Sequence, residues 1–246
     1  MTRFHPALPE ARPLVIAHRS GNDIAEALAA YEAGADMIET DIWRYRNRLE
    51  LRHVKTMGPI PLLWDRWELH PGWGPRFLLP ELLEKMPIDA RLFLDLKGVD
   101  PKLPVQMVEL IRELQPERQI ILCGRTWPQL DLVEEEEDVT VFFSVGSDEE
   151  LAAIWSKLDG MEVPAISIHK RYLDADTVKK FKERNTTIVT WAVNTFAEAR
   201  ELHERGVDGF TTDNQELIKW IPIEREKALL REDPPPAPPK RSFWRR

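Results

Sequence analysis

Short apolar runs alternate along the chain with stretches whose apolar residues fall at helical spacing. The runs Leu14–His18, Met37–Ile42, Leu92–Leu96, Gln119–Cys123, Thr140–Ser144, Ala165–Ile168, Thr187–Ala192 and Gly209–Thr212 read as strands. Between them, an alanine-rich stretch to Gly34 and the segments Val105–Leu114, Asp148–Leu158, Ala175–Arg184 and Thr195–Arg205 read as amphipathic helices. Asp148 and Thr195 stand where helices begin, and Gly206 follows one as a C-terminal stop would. Eight strand–helix alternations predict an α/β fold of one domain, a (β/α)8 TIM barrel over residues 14–222 with residues 1–13 as an N-terminal extension. A doubly wound open sheet is the runner-up. The absence of a G-x-G-x-x-G or P-loop motif weakens a nucleotide-binding reading.

One connection breaks the rhythm. Residues 44–90, after the second strand, carry a short strand at Leu49–His53, a Trp-, Pro- and Gly-rich excursion and a helix at Leu79–Lys85. Long loops in compact domains are usually lids or binding loops. Trp64, Trp67, Trp73 and Phe77 either cover a substrate or pack the excursion onto the barrel.

Composition changes this picture in three places. A net charge of -8 and a pI near 5.4 argue against a nucleic-acid partner. The lone cysteine, Cys123, excludes an intrachain disulfide, suits a reducing cytosol and reads as a small buried strand residue. The N-terminus lacks an apolar core of signal-peptide length and no later run approaches a membrane span, so the expectation is a soluble, cytoplasmic chain. His5 and His70, in irregular surroundings, read as surface residues. The tail at residues 231–246, REDPPPAPPKRSFWRR, is predicted to be extended and disordered. Its basic and aromatic end suits weak contact with an anionic membrane surface or a partner, and a solubilising end is the simpler reading.

The candidate chemistry sits at strand ends. His18 and Arg19 close the first strand. Glu39 and Asp41 are two apart on the second, so the strand period points both carboxylates one way. Two carboxylates aimed into a largely buried sheet demand a metal or a basic partner. A salt bridge to Arg44 or Arg46 on a solvated face is the plainer alternative. Asp95 and Lys97 repeat the two-residue spacing at the next strand end, where βα loops converge in a barrel; a surface ion pair is the alternative there. His169 ends the sixth strand and reads as a bystander.

The stretch from His18 to His53, with Asn22 and GADMIETD at its centre, resembles the glycerophosphodiester phosphodiesterase family. That family opens on His-Arg-Gly and Glu-Asn-Thr, continues with a Gly-Ala-Asp-x-Ile-Glu-x-Asp strand, and follows with His-Asp. Here Ser20 replaces the motif glycine, Gly21 and Asp23 flank Asn22, and Val54 replaces the aspartate after the second histidine. Asp95 and Lys97 stand where the family has Glu-x-Lys. The closing TIVTWAVN and GVDGFTTD are similar to the family's last strand–helix–strand, placing Trp191, Asn194, Thr212 and Asp213 at strand ends.

The resemblance implies a hydrolase that cleaves a small glycerophosphodiester to glycerol phosphate and an alcohol. Glu39, Asp41 and Asp95 would hold a divalent cation, and oxygen ligands suit Mg²⁺ or Ca²⁺. Arg19 and Lys97 would bind phosphate, Trp191 would wall the glycerol moiety or pack in the core, and His18 and His53 would share the proton transfers. In the family the neighbouring glycerol hydroxyl attacks, and water opens the resulting cyclic phosphate. Rival readings are a lysophospholipase D-type enzyme on the same scaffold, a catalytically impaired phosphodiester-binding relative, and a sugar-phosphate isomerase or aldolase barrel.

Overall fold

Twelve strands are found in the computed structural model, which describes residues 8, 12–56, 62–65, 68–71 and 75–226. In chain order they are β1 (Leu14–Ala17), β2 (Met37–Tyr45), β3 (Arg48–Leu51), β4 (Lys55–Thr56), β5 (Leu62–Asp65), β6 (Glu68–Pro71), β7 (Leu92–Lys97), β8 (Ile120–Gly124), β9 (Val139–Val145), β10 (Ala165–His169), β11 (Thr187–Trp191) and β12 (Gly209–Thr212). Parallel pairing runs β1-β12-β11-β10-β9-β8-β7-β2, and β2 returns to β1, which closes an eight-stranded barrel. The strand β3 adds antiparallel to β2, while β4, β5 and β6 form a separate antiparallel sheet. This is the predicted (β/α)8 TIM barrel of one domain.

The helices start where local chemistry satisfies their free N–H groups. Asp23 caps α1 (Ile24–Glu32), accepting from the amides of Ala25 and Glu26. After α2 (Leu79–Lys85), α3 (Lys102–Leu114) and the short α4 (Trp127–Leu130), helix α5 (Asp148–Lys157) opens on a reciprocal capping box of Ser147 and Glu150. The cap is thus Ser147, one residue before the Asp148 that the sequence suggested. Asp174 caps α6 (Ala175–Lys182) and Thr195 caps α7 (Phe196–Glu204) by their side chains; α8 (Gln215–Glu226) follows β12.

Side-chain parity divides the core in two. Leu14, Ile16, Met37, Phe93, Ile121, Phe142, Ala165 and Val189 form one cluster, which Leu8 joins from ahead of β1. Their strand neighbours Val15, Ala17, Ile38, Leu92, Leu94, Leu122, Phe143, Ile166 and Ile188 belong to a second cluster with the helices. Even positions of β1 and odd positions of β2 and β7 therefore point into the barrel, and their neighbours outward. Followed toward the C-terminal ends, the inward series turns from apolar to polar or ionisable: Glu39 and Asp41, Asp95 and Lys97, then Cys123, and Ser144, Ser167 and Thr211 on their own strands. The barrel is filled with hydrocarbon at one end and chemically equipped at the other.

Ring closure depends on Gly209. A Cβ there would lie 2.7 Å from the Leu14 Cβ and 2.9 Å from the Leu14 carbonyl oxygen, both fixed by the β1–β12 register. Gly209→Ala is expected to lower unfolding free energy by about 1–3 kcal/mol, as overpacking does in other cores. Urea denaturation with an unchanged midpoint would contradict this.

The excursion departs from expectation. Its described part includes the β4–β6 sheet, and His70 lies in β6 rather than in irregular chain. The predicted strand at Leu49–His53 ends at Leu51, leaving His53 on a bend beyond it. His5, Trp67, Trp73 and the tail at residues 231–246 lie outside the described residues. Among the described residues, no helix is long and apolar enough to cross a membrane.

Candidate active site

The polar end of the barrel encloses a cavity of about 510 Å³, with His18, Arg19, Glu39, Asp95, Lys97 and Trp191 among its walls. Three acidic side chains meet there. Glu39 and Asp41 are 4 % and 1 % exposed, and the β2–β7 register sets Asp41 beside Asp95. One carboxylate oxygen from each of the three lies within 4.8 Å of the others. The alternative of a solvated Glu39 paired with Arg44 does not hold, because Arg44 bonds Asp100, Gln106 and Asn47 instead.

Lys97 lies 2.8 Å from Asp41 Oδ1 and also donates to the Asp95 carboxylate. The Asp95–Lys97 pair therefore belongs to the buried cluster and is not a separate surface bridge. Asn22 fixes Asp41 from the other side: its Nδ2 donates to Oδ2 at 2.7 Å, and its Oδ1 accepts from the Asp41 amide and the Thr40 hydroxyl. Gly21 makes this turn possible, since a Cβ on it would fall 2.6 Å from Thr40 Cβ. Closeness to β2 is the structural reason for glycine at this departure from the family motif.

The electrostatics follow from burial. Desolvation, then repulsion from Asp41 and Asp95, holds the Glu39 carboxyl well above the usual carboxylate range. Burial raises Asp95 too, and Lys97 offsets only part of it. Asp41 suffers the same desolvation, but the Lys97 charge and the hydrogen bonds from Lys97 and Asn22 outweigh it and bring the group below its ordinary value. Burial alone would lower Lys97; Asp95, Asp41 and Glu39 overcome it and raise the ammonium well above normal. Three carboxylates against one ammonium leave the cluster short of positive charge, which is the condition a divalent cation meets.

Arg19 joins the acids to the histidines. Its backbone is left-handed, at φ 55°, a conformation that costs a non-glycine residue about 1–3 kcal/mol and clusters at functional sites. Its amide donates to Glu39 Oε2 at 2.5 Å, and its guanidinium reaches His53 Nε2 at 2.7 Å. Arginine can only donate, so His53 Nε2 is an acceptor and the ring proton sits on Nδ1. His53 adjoins the cavity through Arg19.

His18 Nδ1 lies 2.6 Å from Asp213 Oδ1, a contact that places a proton on Nδ1 and orients the ring. Asp213 is steadied in turn by Asn194, whose Oδ1 accepts from the Asp213 amide and the Thr212 hydroxyl. The sequence placed Asp213 at the end of the last strand without a role; its pairing with His18 comes from barrel closure. Trp191 is on the cavity wall, edge-on to His169 with ring centroids 4.8 Å apart. His169 itself accepts from the Arg171 amide. Burial, then Arg171 and Lys170, lowers its pKa.

A parallel eight-stranded barrel with acids, a lysine, an arginine and two histidines gathered at the C-terminal strand ends defines a barrel enzyme of anionic substrates. Residues 96–217, just under half of the chain, match the model of the glycerophosphoryl diester phosphodiesterase family, so the resemblance to that family holds in the second half of the chain as well. No curated protein matches it in sequence. The fold is similar to that of an Oleispira antarctica phosphodiesterase in complex with the product sn-glycerol-3-phosphate, with a TM-score of 0.71 and 17% identity over 87% of this chain and 96% of that one. A glycerophosphodiester phosphodiesterase from Thermotoga maritima gives 0.66 and 16% over 87% and 100%; one from Parabacteroides distasonis gives 0.63 and 22% over 89% and 100%. At these identities the structures show the shared fold. The family match begins at Leu96, one residue past Asp95, so His18, Arg19, Glu39, Asp41 and His53 lie ahead of it.

Proposed function

We propose that this chain hydrolyses glycerophosphodiesters to glycerol phosphate and an alcohol, with Glu39, Asp41 and Asp95 holding a divalent cation and His18 and His53 moving the protons. The observation that carries the reading is the convergence of all three acids, Lys97, Arg19 and both histidines at one barrel mouth.

A bound Mg²⁺ or Ca²⁺ would neutralise non-bridging phosphate oxygens and the charge that develops at phosphorus. Arg19 offers a planar fork to the phosphate, and Lys97 offers a point charge beside it. Drawing the Arg19 guanidinium toward phosphate frees the His53 Nε2 lone pair, which suits His53 to take the proton of the attacking hydroxyl. His18, with Asp213 ready to stabilise an imidazolium, suits protonation of the leaving alkoxide. Trp191 walls the cavity where the glycerol moiety would lie. The buried thiol of Cys123, pushed up by desolvation and then by Asp95, is an inert part of the floor and fits a reducing, cytoplasmic setting.

The test is glycerol phosphate release from glycerophosphocholine and glycerophosphoethanolamine with Mg²⁺, with Ca²⁺ and with EDTA. Metal-dependent release is expected, and silence on every glycerophosphodiester would leave a binding protein. Asp95→Asn should raise the metal concentration for half-maximal activity by about tenfold or more, as loss of a charged oxygen ligand does. An unchanged metal titration would remove Asp95 from the ligand set.

A further inference from the structure

The barrel mouth carries a second network, at the end of β9, that the proton and metal chemistry does not use. Arg125, one residue past β8, lies on the cavity wall with Trp191. Its Nε donates to Glu150 Oε1 and its Nη2 to Oε2, both at 2.9 Å. Glu150 Oε2 also accepts from the amides of Gly146, at 2.6 Å, and Ser147, at 2.9 Å. Arg171 Nη2 donates to the Gly146 carbonyl at 3.0 Å. The Gly146 peptide is thus held from both sides, and the carboxylate that caps α5 also holds Arg125.

Glycine at position 146 lets two wall residues close on one point. A Cβ built there would lie 3.2 Å from Arg125 Cζ and 3.3 Å from Trp191 Cη2 and Cζ2, so the guanidinium and the indole use the space a side chain would take. Glu150 occupies the Nε and Nη2 edge of Arg125 and leaves the Nη1 donors. Among the described residues Nη1 has no hydrogen-bond partner, and the Arg125 side chain is 55 % exposed. The Arg125–Glu150 pair is neutral as a unit, so this sector offers directed donors without spare charge. Directed donors beside an indole match a polyol, whose hydroxyl oxygens accept hydrogen bonds and whose C–H groups pack on the ring. A second anionic group would find no net positive charge here.

We propose that Arg125 is a specificity-determining residue whose Nη1 edge donates to the hydroxyl oxygens of the glycerol moiety against Trp191, with Glu150 and Gly146 as its positioning residues. The placing of glycerol at this wall rests on the hydrolase reading above. Calorimetric titration of the full chain, in Mg²⁺ and in Ca²⁺, with sn-glycerol-3-phosphate and with n-propyl phosphate measures recognition without turnover. The second ligand has the same carbon chain and no hydroxyls. Wild-type protein is expected to favour the glycerol ester. Arg125→Gln should cut that preference about tenfold, the worth of a hydrogen bond from a charged donor, and leave propyl phosphate binding unchanged. Arg125→Lys, which keeps a cation for Glu150 but no planar edge, should lose a similar factor. On glycerophosphoethanolamine both variants should raise KM about tenfold with little change in kcat, as loss of uniform binding does. Gly146→Ala, which keeps every donor but displaces Arg125 and Trp191, should move the preference the same way.

Wild-type protein that binds neither phosphate or both equally, or a preference that survives Arg125→Gln, would overturn the proposal. Variants that lose affinity for both ligands alike would reduce Arg125 to a structural partner of Glu150. Discrimination that Arg125→Gln removes, in a chain that hydrolyses no glycerophosphodiester, would refute the hydrolase reading and leave the polyol contact standing. Turnover of glycerophosphoethanolamine with an unaltered preference in the variants would do the reverse.

Discussion

Replacing His53 with alanine is expected to lower kcat on glycerophosphoethanolamine by about a hundred- to ten-thousand-fold, the range that a positioned general base contributes. Arg19 Nη2 lies 2.7 Å from His53 Nε2, so this nitrogen accepts and its lone pair is turned toward the guanidinium proposed to bind phosphate. His18→Ala should cost a comparable factor, because the His18–Asp213 contact orients that ring for the complementary proton transfer. Neither ring is part of the apolar clusters, so both variants should keep the wild-type far-UV circular dichroism and unfold within about 1 kcal/mol of wild type. Substantial turnover in either variant would remove that histidine from the reaction.

The second large effect is on stability. Lys97 sits between Asp41 and Asp95 among buried groups, and taking away one partner of a buried ion pair costs about 3–5 kcal/mol. Lys97→Met is therefore expected to destabilise the metal-free protein by that amount at neutral pH, measured by urea denaturation in EDTA. The pH dependence has a definite sign. Burial, with repulsion among the acids, raises Glu39 and Asp95 above their unfolded values, so folding takes up protons between the unfolded and folded pKa. In that window stability rises as pH falls. Asp41 has the opposite sign, but its lowered pKa confines its loss to more acidic solution, below the ordinary carboxylate range. The metal-free variant should thus recover stability on mild acidification and, at neutral pH, on adding Mg²⁺ or Ca²⁺. An unfolding midpoint equal to that of wild type in EDTA would show that Lys97 does not hold the acids together.

Much of this arrangement was readable before any coordinates. The barrel strands are short buried runs, and the two-residue period places Glu39 with Asp41 and Asp95 with Lys97 whatever the surroundings. The strand limits moved by a residue or so; β2, which continues past Ile42 to Tyr45 to pair with β3, moved by three. What was missed depends on contacts between distant parts of the chain. Asp213 meets His18 across 195 positions because β12 closes on β1, and spacing carries no trace of that meeting. The acceptor role of His53 Nε2 is set by its contact with Arg19, a residue on a left-handed backbone that the sequence does not announce. The β4–β6 sheet was hidden because its strands are brief and set among prolines and tryptophans, too short for either period to register. The helix α4 spans one turn with a proline in it, and was lost for the same reason.

Where the barrel interior turns polar, Cys123, Ser144, Ser167 and Thr211 are small side chains above the packed layer of Phe93, Ile121, Phe142 and Val189. Exchanging one small residue for another there changes the depth and shape of the chamber and leaves the hydrocarbon below intact. Selection can therefore retune what the chamber admits at these positions independently of the acids, the lysine and the histidines. Divergence of specificity among barrels of this kind can proceed from the floor, while the rim keeps its chemistry.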